Sequence, residues 1–183
     1  AIAEFARHGI AVKRGSIMAA FGCNFEGDIA PAVVVQQVDR IHEIAAEYAI
    51  NIEVLSLADT MAWATPQSVK RVVGAIRERY PSLRISLHLH DTRGMALALA
   101  YAGMEMGVDM YDSCVAGLGG CPYAPGASGN ICSEDAIHML QAMGYDTGID
   151  LDRLVDAGVF ISEALGRVTS SRVARALLSK RAG

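Results

Sequence analysis

Short runs rich in aliphatic and β-branched residues alternate with longer amphipathic runs along this chain. The short runs predict four strands, each followed by a polar or glycine-rich loop and then by a helical pattern. Strands that alternate with helices in this way are typical of βα units on a parallel sheet. The predicted strands cover residues 16–21, 52–59, 84–91 and 110–116.

The helices have recognisable beginnings and ends. Pro31 begins one that runs to about Tyr48. Thr65 is an N-cap followed by Pro66 at the first helical position, and Pro81 marks the end of that helix. Further helical patterns cover residues 95–106, a segment that begins at residue 133, and residues 151–165 and 170–180. The last two have no strand between them, so we expect them to form a C-terminal cover.

The number of βα units indicates the fold class. Four units are half of what a (β/α)8 barrel contains, and the pattern predicts an α/β fold of this TIM-barrel type, present as a partial barrel. We expect a single domain over residues 1–183, with βα units to about residue 145 and the helical cover over residues 146–183. An open parallel sheet would leave two unpaired edges. The sequence is therefore either a fragment of a longer chain or a sheet whose edges a partner covers.

Composition narrows the class further. The chain is 52% hydrophobic and 20% charged, which favours a globular domain with a large core over disorder. Its net charge of −4, with 16 scattered basic residues, gives no reason to expect nucleic-acid binding. No apolar run is long enough to cross a bilayer, and the first residues lack the arrangement of a secretory signal. Four cysteines without a C-x-x-C pair favour a reducing compartment, so we expect a cytoplasmic protein.

Two histidines lie near the end of the third predicted strand. Because successive side chains of a strand point to opposite faces, His88 and His90 share one face and lie about 7 Å apart. Two neutral imidazoles at that separation can bind one divalent ion. The alternative is a pair of hydrogen-bonded histidines inside a barrel.

A glycine-rich loop follows the fourth predicted strand. Residues 117–130 contain five glycines and two prolines, a composition that lets backbone approach a ligand closely. Pro122 breaks the G-x-G-x-x-G spacing of a dinucleotide site. A flexible solvent loop is the alternative interpretation.

Four motifs resemble the 3-hydroxy-3-methylglutaryl-CoA lyase family, within the wider group of metal-dependent lyases and Claisen-type synthases on the (β/α)8 barrel. The most specific motif is residues 115–123, VAGLGGCPY, which is similar to the lyase signature around the catalytic cysteine. The other three are residues 56–60 (SLADT), 88–92 (HLHDT) and 126–130 (GASGN). The resemblance covers nearly the whole chain. The sequence departs from the family pattern at residues 23–27, Ala58 and Arg93. These departures are consistent with a substrate that carries a different acyl group.

The resemblance implies roles for particular residues. It assigns metal binding to His88, His90 and Asn130, proton transfer to His88, and protonation of the departing enolate to Cys121. It implies that a further aspartate ligand, an arginine and a glutamate belong to strands upstream of this sequence. It also implies that Asp59, Thr60, Gly119 and Gly120 lie near the substrate. Asp59 could equally well bond the turn that follows it, and Glu134 could support the metal ligands or complement a helix dipole.

The reaction that these roles imply is carbon–carbon cleavage of a 3-hydroxyacyl-CoA to acetyl-CoA and a 3-oxo acid. Imidazole, amide and carboxylate ligands suit Mg²⁺ or Mn²⁺, with Zn²⁺ or Co²⁺ as alternatives. We expect an acyl-CoA substrate, a homo-oligomer, and neither a nucleic-acid nor a membrane partner. The competing interpretations are a related aldolase-type lyase or Claisen-type synthase, and a non-catalytic truncated barrel.

Overall fold

The computed structural model of the protein describes residues 2–120 and 129–181. This part of the chain contains six strands: β1 (Arg14–Ile17), β2 (Gly22–Cys23), β3 (Gly27–Asp28), β4 (Val54–Asp59), β5 (Arg84–Leu89) and β6 (Met110–Asp112). Its α-helices are α1 (Ile2–Arg7), α2 (Pro31–Glu47), α3 (Pro66–Arg79), α4 (Ala96–Glu105), α5 (Ser133–Ala142), α6 (Leu151–Ala164) and α7 (Arg172–Arg181). A 3₁₀ turn covers Val115–Gly117.

Four strands form one sheet in the order β1-β4-β5-β6. β1 and β4 pair in parallel, with Arg14 opposite Val54 and Ile17 opposite Leu57. A long helix separates each strand of this sheet from the next along the chain, which gives four βα units with α5 as the last helix. The predicted α/β class of the (β/α)8 type is confirmed, and so are the two C-terminal helices without a strand between them.

The first strand ends earlier than the sequence predicts. Residues 16–21 are predicted as a strand, but β1 ends at Ile17 and the chain turns at Ala19, whose φ is 52°. The Thr60 hydroxyl accepts a hydrogen bond from the Ala19 N–H at 2.8 Å, which holds this turn. The chain then forms an unpredicted antiparallel hairpin in which Gly22 lies opposite Asp28. A two-residue strand is too short to produce a hydrophobic alternation that could be recognised in the sequence.

The first compact unit comprises Ala1–His88 and Ala98–Tyr111. The central strands β4 and β5 supply its core, where Leu55, Leu57 and Leu87 are fully buried. Helices α2 and α3 cover the strands with apolar side chains that are also buried, including Val34, Val38, Val69, Val72, Val73 and Ile76. This buried sheet surface supports the strand ends on which Asp59 and His88 lie.

The second compact unit comprises Leu89–Leu97 and Asp112–Gly183. The strand predicted over residues 110–116 ends at Asp112, because Ala116 and Gly117 have φ of 55° and 62° and turn the chain into the 3₁₀ segment. Helix α5 begins after Cys132, as predicted, and contacts this segment, α6 and α7. Within the described ranges no helix combines the length and the apolar character needed to cross a membrane.

Candidate active site

His90 and Asn130 lie directly opposite each other in an antiparallel bridge. The Asp91 N–H donates to the Gly129 carbonyl at 3.1 Å, and the Ile131 N–H donates to the Leu89 carbonyl at 3.0 Å. These two bonds flank the bridged residues, which makes them a non-hydrogen-bonded pair. In such a pair the Cα atoms are about 4.5 Å apart and both side chains project from the same face. The backbone therefore places the imidazole of His90 beside the amide of Asn130.

The nitrogen side of the Asn130 amide is fixed. Nδ2 donates to the Leu118 carbonyl at 2.9 Å and contacts Cys114 Sγ at 3.1 Å. Because a backbone carbonyl only accepts hydrogen bonds, Nδ2 must face it and Oδ1 must point the other way. Oδ1 is buried and has no hydrogen-bond partner among the residues that the structure describes.

Two glycines make room for this arrangement. Gly119 has a φ of 96°, and a Cβ on it would lie 2.5 Å from Asn130 Nδ2. Gly129 is surrounded by the carbonyl oxygens of Gly117, Leu118 and Gly119, where a side chain could not fit. The glycines therefore allow the two ends of the loop to pack closely. Gly119 and Gly120, the predicted substrate-binding glycines, are both exposed at the start of this loop.

His88 is the next-to-last residue of β5 and is half-buried. His88 lies two residues before His90, so the strand alternation directs the two side chains to the same face. Its neighbours Leu87 and Leu89 are fully buried on the opposite face, which holds the strand rigidly.

Asp59 is the last residue of β4, Thr60 follows it, and both are buried. Asp59 Oδ1 accepts hydrogen bonds from the backbone N–H groups of Trp63 at 2.7 Å and Ala64 at 3.0 Å. This is the turn-bonding arrangement that the sequence left open for Asp59. Thr60 uses its hydroxyl to hold Ala19. The predicted contact of these two residues with substrate stays a prediction.

Glu134 is completely buried, which the sequence did not make evident. Both carboxylate oxygens accept the Ala116 N–H, at 2.9 and 3.1 Å, so the side chain holds the 3₁₀ turn from which the glycine-rich loop starts. Burial raises the pKa of Glu134, and the hydrogen bonds from the backbone oppose this. These hydrogen bonds show that Glu134 supports the loop, in addition to lying in the first turn of α5.

The described cysteines are free thiols, and their surroundings differ. Burial, helped by the nearby Asp135 and Glu134 carboxylates, raises the pKa of Cys132 to about 12, so this thiol stays protonated at neutral pH. Cys114 is half-buried and contacts Asn130. Cys121, the predicted catalytic acid, lies outside the described residues. Within residues 2–120 and 129–181, no group of three His, Cys, Asp or Glu side chains could hold a metal ion.

The contact between Cys114 and Asn130 is a feature that sequence reasoning missed. Cys114 is 16 residues from Asn130, and no motif in the sequence links the two. A signal for Glu134 did exist, since an acid four residues beyond a candidate metal ligand can support it. Four βα units on a mainly parallel sheet are the arrangement of a (β/α)8-type protein.

Comparison with known proteins gives the family. Residues 1–161 match the HMGL-like family model. Human mitochondrial hydroxymethylglutaryl-CoA lyase is 44% identical over 163 residues, which are 89% of this chain and 48% of that protein. The cytoplasmic 3-hydroxy-3-methylglutaryl-CoA lyase of Rattus norvegicus is 41% identical over 176 residues, which are 96% of this chain and 50% of that protein. The chain belongs to the HMGL-like family.

Solved structures agree with this assignment. The hydroxymethylglutaryl-CoA lyase from Pseudomonas aeruginosa superposes with a TM-score of 0.87 at 38% identity, over 98% of this chain and 57% of that one. The lyase from Acinetobacter baumannii, in complex with coenzyme A and 3-methylmalate, gives 0.80 at 37% identity over 96% of this chain and 55% of that one. The carboxyl transferase domain of Rhizobium etli pyruvate carboxylase, at 19% identity and a TM-score of 0.66, shares the fold. The chain spans about half the length of the curated relatives it matches.

Proposed function

We propose that this chain supplies part of the active site of a metal-dependent lyase that cleaves 3-hydroxy-3-methylglutaryl-CoA to acetyl-CoA and acetoacetate. The observation that carries the proposal is the His90–Asn130 pair, with an amide oxygen that is buried and unpartnered within the described residues. Leaving a buried oxygen unpaired costs about 1–3 kcal/mol. A bound cation would compensate for that cost.

The proposed metal ligands are His88, His90 and Asn130. The backbone pairing supports the second and third of them, and strand alternation supports the first. Imidazole nitrogen together with amide oxygen is a donor set that divalent ions accept. These residues therefore fit the metal that the family in general requires. We propose Mg²⁺ or Mn²⁺, because the resemblance adds a carboxylate ligand to these imidazole and amide groups, and Zn²⁺ or Co²⁺ is the alternative.

When bound, the cation would supply Lewis acidity that polarises the substrate oxygens. The remaining steps belong to the side chains. His88 would accept the proton of the substrate hydroxyl, and Cys121 would donate a proton to the enolate carbon as the carbon–carbon bond breaks. A thiol with an ordinary pKa near 8.5 is mostly protonated at neutral pH and can act as this acid.

The surrounding backbone would bind and shield the substrate. Gly119 and Gly120 are exposed and lack side chains, so an acyl group could approach their peptide groups closely. Asp59 and Thr60 would border the substrate from the end of β4. We further propose that the protein is located in the cytoplasm, as the name of the cytoplasmic relative suggests. We also propose that it forms a homo-oligomer. Sedimentation and cell fractionation of the protein would test both points.

The proposed ligands can be tested by Mn²⁺ binding, followed by electron paramagnetic resonance. We expect His90→Ala and Asn130→Ala to weaken Mn²⁺ binding by at least tenfold, because each removes a donor. His138→Ala is the matched control, since this histidine is exposed on α5. Equal affinities in all three variants and the wild type would overturn the ligand assignment.

The proposed acid is tested separately, in a protein that turns over. Cys121→Ser should lower the rate of acetyl-CoA release sharply while Mn²⁺ stays bound. An unchanged rate would show that this thiol takes no part in the reaction.

A further inference from the structure

Asn130 can ligate a cation only while its oxygen faces the site. A side-chain amide can rotate by 180°, which exchanges its oxygen for its NH₂ group, and the two ends are nearly equal in shape. The flipped amide would present two N–H donors to the cation and would repel it. Something in the protein must therefore hold one of the two orientations.

Two acceptors lie against the nitrogen end of this amide. The Leu118 carbonyl accepts from Nδ2 at 2.9 Å, and Cys114 Sγ lies 3.1 Å from the same nitrogen. With both protons of Nδ2 directed to acceptors, a flip would bring Oδ1 against a carbonyl oxygen. The backbone at Leu118 cannot be changed by substitution, so Cys114 is the part of this arrangement that the sequence controls.

The backbone of Cys114 is itself fixed on both sides. Its N–H donates to the Ile131 carbonyl at 3.1 Å, and its carbonyl accepts the Ser133 N–H at 2.9 Å. These bonds link Cys114 to Cys132 in a parallel bridge, two residues beyond Asn130. A substitution at position 114 therefore changes the side chain next to the amide while the main chain keeps its partners.

We infer that Cys114 is a positioning residue whose sulfur accepts a hydrogen bond from Asn130 Nδ2 and thereby turns Oδ1 towards the metal. The inference rests on the proposed function, since the metal is part of it. The Cys114 thiol acts here as an acceptor and not as a nucleophile or a ligand. Serine at this position can accept the same bond, whereas alanine and valine cannot.

The contact itself can be measured without metal. In ¹⁵N-resolved NMR spectra of the whole 183-residue chain, we expect the Asn130 side-chain NH₂ to exchange slowly with solvent. Cys114→Ala should speed this exchange at least severalfold, and Cys114→Ser should restore slow exchange. Cys23→Ser is the matched control, because Cys23 lies in β2 and contacts the Glu26 N–H instead. Equal exchange in wild type and Cys114→Ala would overturn the inference.

Metal affinity then tests the consequence of the contact. We expect Cys114→Ala and Cys114→Val to bind Mn²⁺ about tenfold more weakly than wild type, and Cys114→Ser within about twofold. Affinity that is unchanged in the alanine variant, in a chain that does bind Mn²⁺, would overturn the positioning role.

The two proposals fail in different ways. A wild-type chain that binds no Mn²⁺, although its Asn130 amide exchanges slowly and Cys114→Ala accelerates it, would overturn the proposed metal site and leave the positioning contact established. Thermal unfolding separates both results from misfolding. If Cys114→Ala unfolded locally around Asn130, its weaker affinity would not report on the hydrogen bond. The affinities therefore support the inference only if the Cys114 variants, Cys114→Ser included, unfold at the wild-type temperature.

Discussion

Among the residues that the structure describes, the side chain of Asn130 has hydrogen-bond partners at its nitrogen and none at its oxygen. Buried amides in proteins usually have partners at both ends, because an unpaired buried oxygen costs free energy. A protein that keeps an unpaired buried oxygen is less stable for it, but the oxygen stays available to a ligand. Gly119 lies close to the nitrogen end of this amide, so a side chain at that position would collide with it.

Gly119 provides a steric test of this packing. A Cβ on Gly119 would lie 2.5 Å from Asn130 Nδ2, so we expect Gly119→Ala to displace the amide and weaken Mn²⁺ binding about tenfold. Gly144→Ala is the matched control, because Gly144 has a similar φ of 88° but nothing within 4 Å of the added carbon. Both variants should lose about 1–2 kcal/mol of stability from the strained backbone. Only Gly119→Ala should change the metal affinity, and equal affinities would contradict the packing argument.

We expect Glu134 to make the stability of the folded chain depend on pH. Its pKa is raised by burial above the ordinary value of 4.5, so the folded chain holds a proton that the unfolded chain releases. Stability should therefore fall as pH rises from about 4.5 through the folded pKa, by up to about 1.4 kcal/mol per pH unit. Glu134→Gln cannot ionise and keeps an oxygen for the Ala116 N–H. We expect its free energy of unfolding to fall less over the same pH range.

Chemical denaturation at a series of pH values measures this difference. The comparison between variant and wild type cancels the contribution of the other carboxylates. Parallel curves for the two proteins would show that folding does not raise the pKa of Glu134.

The assignment of His88 and His90 as metal ligands stays a prediction, but their shared face of the strand could be predicted from the sequence by alternation alone. The environment of Asn130 could not. Cys114 is 16 residues from Asn130 in the sequence and contacts its amide only in the folded chain. The other partner of the amide is the backbone carbonyl of Leu118, and any residue type supplies such a carbonyl. Contacts of this kind depend on tertiary geometry.

At the scale of elements, helix starts were predicted better than strand ends. Thr65 and Ser68 form the capping box of α3, so the start of that helix is encoded within four residues. The ends of β1 and β6 depend on Ala19 and Ala116, both non-glycine residues with positive φ. Alanine gives no local sign of such a turn. It is imposed by the Thr60 hydroxyl at one position and by the Glu134 carboxylate at the other.

Helix α7 is capped by Ser171, whose hydroxyl accepts the Ala174 N–H at 2.9 Å, and also by a residue of another helix. Asp135 in α5 accepts hydrogen bonds from the Ser171 hydroxyl at 2.5 Å and from the Val173 N–H at 2.9 Å. We expect Asp135→Ala to lower stability by about 1–2 kcal/mol and to release α7 from α5 first. Limited proteolysis and urea denaturation would measure this, with Asp28→Ala on the exposed strand β3 as control. Equal protease resistance of α7 in both variants would contradict the capping role.

At the scale of the whole molecule, the chain matches about half the length of its curated relatives, at 41–44% identity. A (β/α)8 enzyme collects its catalytic groups from the ends of strands all around the barrel. In the proposed function, the members of such a set that belong to the described residues are His88, His90 and Asn130. We therefore expect metal binding without substrate turnover, because binding needs only some of the ligands and turnover needs all of the reacting groups.

We expect the 183-residue chain alone to bind Mn²⁺ weakly and to show no turnover of 3-hydroxy-3-methylglutaryl-CoA. The resemblance places a further carboxylate ligand and the enolate-stabilising arginine on other strands, and without that positive charge the developing enolate loses most of its stabilisation. Removing one such electrostatic group typically costs two to three orders of magnitude in rate. A coupled assay for acetyl-CoA with Mg²⁺ or Mn²⁺ measures this, and a longer family member carrying the same residues is the positive control. Turnover by the 183 residues would mean that the described strands contain a complete catalytic set, and the roles given to His88 and Cys121 would then have to account for the whole reaction.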